Sequence, residues 1–427
     1  MNDKHLKLSP RVQIIERGDK YIFINPELPA WVVTDKIGSI IISLFDGNRS
    51  LNQIIELTLE GLGKSNEVRA RQFCNEIVKS GLLNDFKASP KEGRMPLGSV
   101  HLSLSDRCNI SCIYCYASER KEHLYPRLTL EDYKIIIDDV IDISPDVIFT
   151  LTGGEPLLNK DCLLIAEYIR QKNAKVFLLT NGTLINDDNI AKVGQLFNLV
   201  TLSIDGPNDK IHSITRGHNL DKVMNAARLL DDNDVDYTIS MTVTQKNIGY
   251  VEEMAEKFGN RLNFAPYFPI AGEKNELAIT GLQYYQALKA AVGVNPLSFC
   301  ERTLEEARVQ RRHKCSVGDG EFSISATGDV YPCQLLHTEQ FYAGNTHLQS
   351  IKKIYYQSKA IIQAASLDVA TMDGCKDCPI KFICGGSCRA RAYYENGTIN
   401  ADSDFCKYEQ EAFYDGIINI YSQNIIK

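Results

Sequence analysis

Ten of the thirteen cysteines fall into two patterns. Cys108-x3-Cys112-x2-Cys115 packs three thiols into the stretch SDRCNISCIYCYAS. Cys315-x12-Gly328-x4-Cys333 is followed by Cys375-x2-Cys378-x5-Cys384-x3-Cys388 and then by Cys406. Thiols at such spacings bind metal or, in an oxidising compartment, pair as disulfides. The charged start MNDKHLKLSP has no apolar h-region, and no run approaches a membrane-spanning length. A cytoplasmic location is therefore expected, and in a reducing cytosol metal is favoured over a disulfide scaffold. Three thiols on one loop can close on one face of a [4Fe–4S] cube and leave one iron without a protein ligand. Tetrahedral zinc would want a fourth ligand, and His123, in a Lys/Glu-rich loop, reads as solvated.

Those thiols need a scaffold. Residues 8–26 predict a strand hairpin, RVQIIE and YIFINP around Arg17-Gly18-Asp19-Lys20, with AWVVT at 30–34 as a third short strand. Helical patterns follow over Asp35–Phe45, over Ser50–Glu60 with Ser50 as N-cap, and over Ser65–Leu83. DFKASPKEGRMPLG, residues 85–98, carries Pro90, Pro96 and charge without periodicity and reads as a linker. From Ser99 to about Phe268 the runs VHLSLS, VIFTLT, VFLLT, LVTLSI, YTISMTV and LNFAPYF alternate with helical stretches near 129–142, 160–171, 187–196, 219–232 and 249–258. Such alternation predicts a parallel sheet covered by helices. Six units are short of the eight of a closed barrel. CNISCIYC, TGGEP, TNG and SIDG each follow a strand, so they share the C-terminal rim where such sheets place their sites. Beyond residue 300 come a hairpin over FSISATGDVYPC, the dense cysteines and a tail helix around 407–422, a segment that metal would help to hold together. Cys74 and Cys162 lie on apolar helical patterns and read as buried small hydrophobes.

Over roughly residues 99–268 the chain resembles the radical S-adenosylmethionine (SAM) superfamily, whose motif places an aromatic before the last Cys, here Tyr114. The resemblance implies that the open iron chelates SAM and that one electron splits it to a 5′-deoxyadenosyl radical, which takes hydrogen from an unactivated carbon. In Gly153-Gly154-Glu155-Pro156 the glycines would let backbone approach the ligand, and Glu155 is implied to hold the SAM amino group. Ser203 and Asp205 match ribose-facing positions, with Asp205 also readable as a turn residue before Gly206-Pro207. Arg216 matches an arginine that pairs with the SAM carboxylate. Thr180-Asn181-Gly182 reads equally as a turn or as a ligand contact.

The second cysteine pattern resembles the SPASM extension of radical SAM enzymes that modify peptides and proteins, down to CGGSCR at 384–389. The resemblance implies two auxiliary [4Fe–4S] clusters beside the SAM-binding one, three in all. Cys315, Cys333 and Cys388 would hold the first, and Cys375, Cys378, Cys384 and Cys406 the second. Cys300 is the expected fourth ligand of the first auxiliary cluster; without it an iron stays open to a substrate thiolate. Auxiliary clusters suit a reaction that discards an electron after the radical forms, their potentials being set by charge, hydrogen bonds and burial.

Residues 1–84 resemble the recognition element of enzymes acting on ribosomally made, post-translationally modified peptides (RiPPs), a winged-helix-like domain. There an extended leader peptide would add as a strand to the small sheet. DNA binding by a winged helix is the rival. Twelve Lys/Arg against eleven Asp/Glu over residues 1–90, and a net charge of −7 for the chain, give no basic face for nucleic acid.

The expected architecture is thus α/β: a peptide-binding domain over 1–84, a linker over 85–98, a partial (β/α)6 radical SAM barrel over 99–299 and an iron–sulfur SPASM domain over 300–427. The expected function is an oxidative crosslink in a precursor peptide, first a Cys thioether to a backbone or side-chain carbon. A carbon–carbon or ether crosslink, or sulfatase-maturase-like oxidation of Cys or Ser, are the alternatives. Expected partners are the precursor peptide, held by its leader, and an electron donor such as flavodoxin or ferredoxin; nucleic acid and membrane are not expected. No catalytic base is assigned.

Overall fold

The structure, a computed structural model, describes residues 4–84, 93–115, 124–267, 269, 276–291 and 311–425. Cys300 and His123 lie outside these residues, as do residues 85–92 of the expected linker.

The first segment holds β1 (His5–Lys7), β2 (Gln13–Arg17), β3 (Lys20–Asn25), β4 (Ala30–Thr34), α1 (Lys36–Ser43), β5 (Asp46–Ser50), α2 (Leu51–Leu62) and α3 (Glu67–Lys79). The hairpin turn expected at Gly18 closes β2 on β3, with Arg17 opposite Lys20, and β4 pairs on the other side of β3. The Asp35 carboxylate accepts from Gly38 N at 2.9 Å to start α1, and Ser50 with Gln53 forms a capping box on α2. DGNRS, which lacks apolar alternation, is not legible as a strand. It is β5, an edge strand paired antiparallel with β1.

Strands β6 (Ser99–Ser105), β7 (Ile148–Gly153), β8 (Lys175–Thr180), β9 (Leu199–Ser203), β10 (Tyr237–Val243) and β11 (Leu262–Pro266) lie side by side in chain order, all parallel. Helices α4 (Leu130–Ile143), α5 (Cys162–Gln171), α6 (Ile190–Leu196), α7 (Asp209–Arg216), α8 (Leu220–Asp232), α9 (Val251–Phe258) and α10 (Gly281–Ala291) accompany them. One side chain in two along the strands, including Val100, Leu102, Phe149, Leu151, Val176, Leu178, Val200, Leu202, Ile239 and Met241, enters a single apolar core with the helices. The alternate residues, Ser103, Thr150, Thr201 and Ser240 among them, face the other way and give the sheet a neutral, hydroxyl-rich inner face. The sheet does not stop at the sixth strand. Past β6 it continues with β12 (Glu321–Ile324), parallel, and then β13 (Asp329–Tyr331) and β14 (Gly344–Asn345), antiparallel.

The remaining helices are α11 (Ile351–Gln357), α12 (Lys359–Ala365), α13 (Lys381–Cys384), α14 (Arg389–Asn396) and α15 (Cys406–Ile425). The described end of the expected linker is tied down. Arg94 stacks 3.9 Å from the Tyr355 ring centroid and donates to Gly318 O, while Met95 N donates to Asp319. The β2–β3–β4 sheet is covered on both sides. Phe23 meets the helices of its own segment, and Ile22, Ile24, Trp31 and Val33 pack against Phe413, Tyr414 and Ile417 of α15. No described helix is long and apolar enough to cross a membrane.

Candidate functional site

The loop after β6 carries the first three thiols, and the ends of β7, β8 and β9 hold it. Gly154 N donates to Ser105 O at 2.6 Å and Glu155 N to Arg107 O at 2.9 Å. A Cβ on Gly153, whose φ is +130°, would lie 2.4 Å from Ser105 O, and one on Gly154 would lie 2.2 Å from Arg107 O. The cysteine loop's own backbone presses against these glycines. Glu155 is fully enclosed. Its carboxylate accepts from Thr180 Oγ1 (2.8 Å), Asn181 N (2.8 Å) and Leu157 N (3.1 Å), which ties β7 to β8. Burial raises its pKa while those bonds oppose the rise. Glu155 thereby also braces the ends of β7 and β8.

Asn181 reaches the cysteine loop directly: Nδ2 lies 3.6 Å from Cys108 Sγ and donates to Asn109 Oδ1 at 2.8 Å. Asp205 is also fully enclosed, and both its oxygens are used inside the protein. Oδ2 accepts from the Tyr114 hydroxyl, Thr215 Oγ1 (2.8 Å) and Arg216 Nε (2.9 Å), and Oδ1 accepts from Thr242 N (2.9 Å). Asp205 thereby anchors Tyr114 and Arg216. Arg216, 11% exposed, also places Nη1 3.8 Å from Cys112 Sγ. Burial works against its charge, but Asp205, Tyr114 and Cys112 outweigh it and raise the pKa further. Burial pushes the Cys112 thiol up to about 11, with Arg216 opposing. Ser203, at the end of β9 opposite Ser240, is half-buried.

The seven C-terminal thiols sort themselves. Burial raises Cys315 and Cys333, and the charge of Cys388 raises both further. Burial likewise raises Cys375, Cys384 and Cys406, whose further repulsion comes from Cys378 and from one another. Cys315, Cys333 and Cys388 pack against one apolar cluster, Cys378 and Cys384 against a second, and Cys375 lies in a third. Cys384 and Cys388 part company because Gly385, Gly386 and Ser387 all take positive φ, +69°, +89° and +55°. Side chains rarely adopt this backbone, and only glycine does so freely. Donors already point at sulfur: Leu335 N to Cys333 (3.5 Å), Ser387 N to Cys384 (3.1 Å), Ser403 N to Cys406 (3.5 Å) and Gln410 Nε2 to Cys378 (3.5 Å). Cys74 and Cys162 are buried in apolar cores.

All described cysteines are free thiols. Grouped free thiols with N–H donors and buried guanidinium charge nearby fit iron–sulfur clusters.

Residues 102–258 match the Radical SAM superfamily, and residues 315–379 match the SPASM iron–sulfur cluster-binding domain. This chain carries a radical SAM domain and a SPASM domain. It is an enzyme, and its cofactors are [4Fe–4S] clusters and SAM. The chain is 25% identical over 338 residues to the AdoMet-dependent heme synthase of Methanosarcina barkeri, covering 71% of this chain and 95% of that protein. It is 25% identical over 314 residues to the antilisterial bacteriocin subtilosin biosynthesis protein AlbA of Bacillus subtilis, covering 68% and 67%. Among solved structures, native anSMEcpe with bound AdoMet shares the fold at a TM-score of 0.64 and 22% identity, over 78% of this chain and 100% of that one. SuiB of Streptococcus suis, solved bound to its precursor peptide SuiA, does so at 0.57 and 15%, over 93% and 98%.

Sequence reasoning missed α7, which supplies Thr215 and His212. The buried His212 ring accepts from Asp205 N at Nδ1 (3.3 Å) and lies 3.1 Å from Asn219 Oδ1 at Nε2. The legible signal was Asn208, whose side chain caps the helix at Ile211 N, with Ile211 and Ile214 three apart. Asn247, which holds Asp205 O and Thr242 O through Nδ2, carries no such signal.

Proposed function

We propose that this radical SAM/SPASM enzyme matures a ribosomally made precursor peptide, gripping the leader on the N-terminal sheet and forming an oxidative crosslink in the core. The observation that carries this is the first segment itself: a three-stranded antiparallel sheet with its own helices, seated on α15 of the SPASM segment. Support comes from SuiB, which shares the fold over 93% of the chain where anSMEcpe does so over 78%. An extended leader adding to a sheet edge gains main-chain hydrogen bonds there. The sulfatase-maturase alternative has no need of such a segment.

Cys108, Cys112 and Cys115 would hold the SAM-binding cluster, with Cys315, Cys333 and Cys388 on the first auxiliary cluster and Cys375, Cys378, Cys384 and Cys406 on the second. When bound, SAM and its reduced cluster supply a carbon-centred radical able to take a hydrogen atom from an unactivated C–H bond. The protein's part is geometric and electrostatic. Asn181 steers Cys108, Glu155 locks the β7 and β8 ends, and Asp205 holds the Arg216 guanidinium beside Cys112. Tyr114, Gly153, Gly154, Glu155, Ser203, Asp205 and Arg216 are the residues proposed to meet SAM. The hydroxyl-rich inner face offers neutral polar contacts. Each thioether, the first choice of product, removes one hydrogen from carbon and one from sulfur. A flavodoxin- or ferredoxin-like donor and a cytoplasmic location complete the proposal.

The similarity to heme synthase favours a second reading, a tetrapyrrole substrate. One anaerobic incubation separates the two. Reconstituted enzyme, SAM and reductant are given the precursor peptide or an iron porphyrin, followed by mass spectrometry. A peptide lighter by two hydrogens per bond, with 5′-deoxyadenosine released, supports the maturase; a modified porphyrin and an unchanged peptide refute it.

A further inference from the structure

Where Cys384 and Cys388 diverge, the next side chain is Arg389. It is 1% exposed. Nη1 donates to Ile399 O (3.0 Å) and Ala401 O (2.7 Å), and Nη2 donates to Gly386 O. Nε is buried with no hydrogen-bond partner among the described residues. Every acceptor is a neutral carbonyl, and no described carboxylate stands within ion-pair distance of this guanidinium. The neighbouring buried cations differ. Lys314 is paired with an equally buried Asp319, and Arg391 faces Glu395 at 4.0 Å. A guanidinium does not shed its proton in a protein, and a buried charge without a counter-charge is strongly unfavourable. The Gly386 carbonyl that it grips lies in the turn joining Cys384 of one set to Cys388 of the other, so the guanidinium stands at the junction of the two thiol sets.

We propose that Arg389 is the shared counter-charge of the two auxiliary clusters, a positioning residue that raises both reduction potentials together. The proposal rests on assigning the seven thiols to two clusters. Each cluster becomes more negative on gaining an electron, so a fixed cation in a dry setting at the turn that joins them favours the reduced state of both; net charge and burial are among the factors that set such potentials. Its three carbonyl bonds hold the guanidinium in that place and leave its charge uncancelled.

The test uses the full chain carrying Cys112→Ala, which removes the SAM-binding cluster's signal, with Arg389 kept, changed to Gln, or changed to Lys. After anaerobic reconstitution, iron and sulfide are counted and the auxiliary clusters are titrated against potential by electron paramagnetic resonance. Arg389→Gln is expected to lower the reduced-to-oxidised ratio of both clusters at least tenfold at a fixed potential, about 59 mV for a one-electron couple. Arg389→Lys, which keeps the charge, is expected to stay within about threefold of the parent. An unchanged ratio at either cluster in an iron-replete Arg389→Gln protein overturns the proposal. Where the Gln variant takes up less iron, recovery of iron and potential in the Lys variant supports the charge role, and equal loss in both makes Arg389 a strut and overturns it. A parent holding fewer than two clusters' iron overturns the ligand assignment and the proposal with it.

Discussion

Replacing Asp205 by Asn changes one charge and almost no volume at a fully enclosed carboxylate that accepts four hydrogen bonds. Arg216, 11% exposed, stays charged and loses its only ion-pair partner among the described residues. Breaking a buried pair from one side costs about 3–5 kcal/mol. The new amide nitrogen also cannot accept, so one of the four donors is stranded, at about 1–3 kcal/mol. Arg216→Met removes the cation but leaves Asp205 its other three donors, so its cost is smaller. If pairing is what matters, Asp205→Asn/Arg216→Met is less destabilised than the sum of the singles by about 1–3 kcal/mol. The assay is urea unfolding of the four cluster-free chains by circular dichroism, with iron uptake measured in parallel. Additivity within about 0.5 kcal/mol would refute the pairing, since independent sites add to that precision.

Cys112→Ala should abolish SAM cleavage while auxiliary iron remains, whereas Cys406→Ala should spare cleavage and lose the peptide product; loss of all iron in the first variant would contradict separate clusters. Trp31, 8% exposed and edge-on to Phe413 at 5.5 Å, ties the N-terminal sheet to α15. Trp31→Ala is expected to cost about 3–5 kcal/mol in denaturant unfolding, and a loss under about 1 kcal/mol would mean that the contact is dispensable. Burial depresses the His212 pKa, so its neutral form carries stability that is full above pH 6.5 and falls as pH drops through the lower folded value. His212→Gln should therefore flatten the acid side of the stability profile by up to about 1.4 kcal/mol per pH unit. His101, also depressed by burial, keeps a remaining slope. An identical profile would assign no titration to His212.

The barrel strands were legible because each presents β-branched and aromatic residues bounded by turn signals, and the cysteine loop because few chemistries need three thiols so close. What spacing does not reveal is whether a buried carboxylate at a strand end touches a ligand or braces the frame. Glu155 and Asp205 sit where a SAM contact is expected, and their oxygens also accept bonds from Thr180, Asn181, Tyr114, Thr215, Arg216 and Thr242. Either role calls for an acidic residue at that place in the chain. β5 escaped for a different reason: an edge strand of polar residues is stabilised by a partner distant in sequence, and no local period betrays it. The division of the C-terminal thiols is likewise a matter of backbone. CGGSC reads as a compact ligand run, but three successive left-handed residues turn its two cysteines toward different sets.

Segment by segment the chain looks like three beads, yet the contacts interleave them. β12 belongs by position to the SPASM segment and by hydrogen bonding to the barrel sheet, where Ser323 lies opposite His101 of β6. α15 begins at Cys406, a thiol of the second set, and its apolar face is the floor on which Trp31 and Ile24 rest. Cys378 and Cys384 pack against that same apolar cluster. A peptide adding a strand to the N-terminal sheet would thus stand one packed layer from the second thiol set, and Arg389 holds the turn that joins the two sets. Removing the N-terminal segment would consequently do more than delete a grip for the leader. It would bare Phe413 and Ile417 beside Cys378 and Cys384, so a truncated enzyme that loses product should be checked for auxiliary iron before the loss is ascribed to peptide binding.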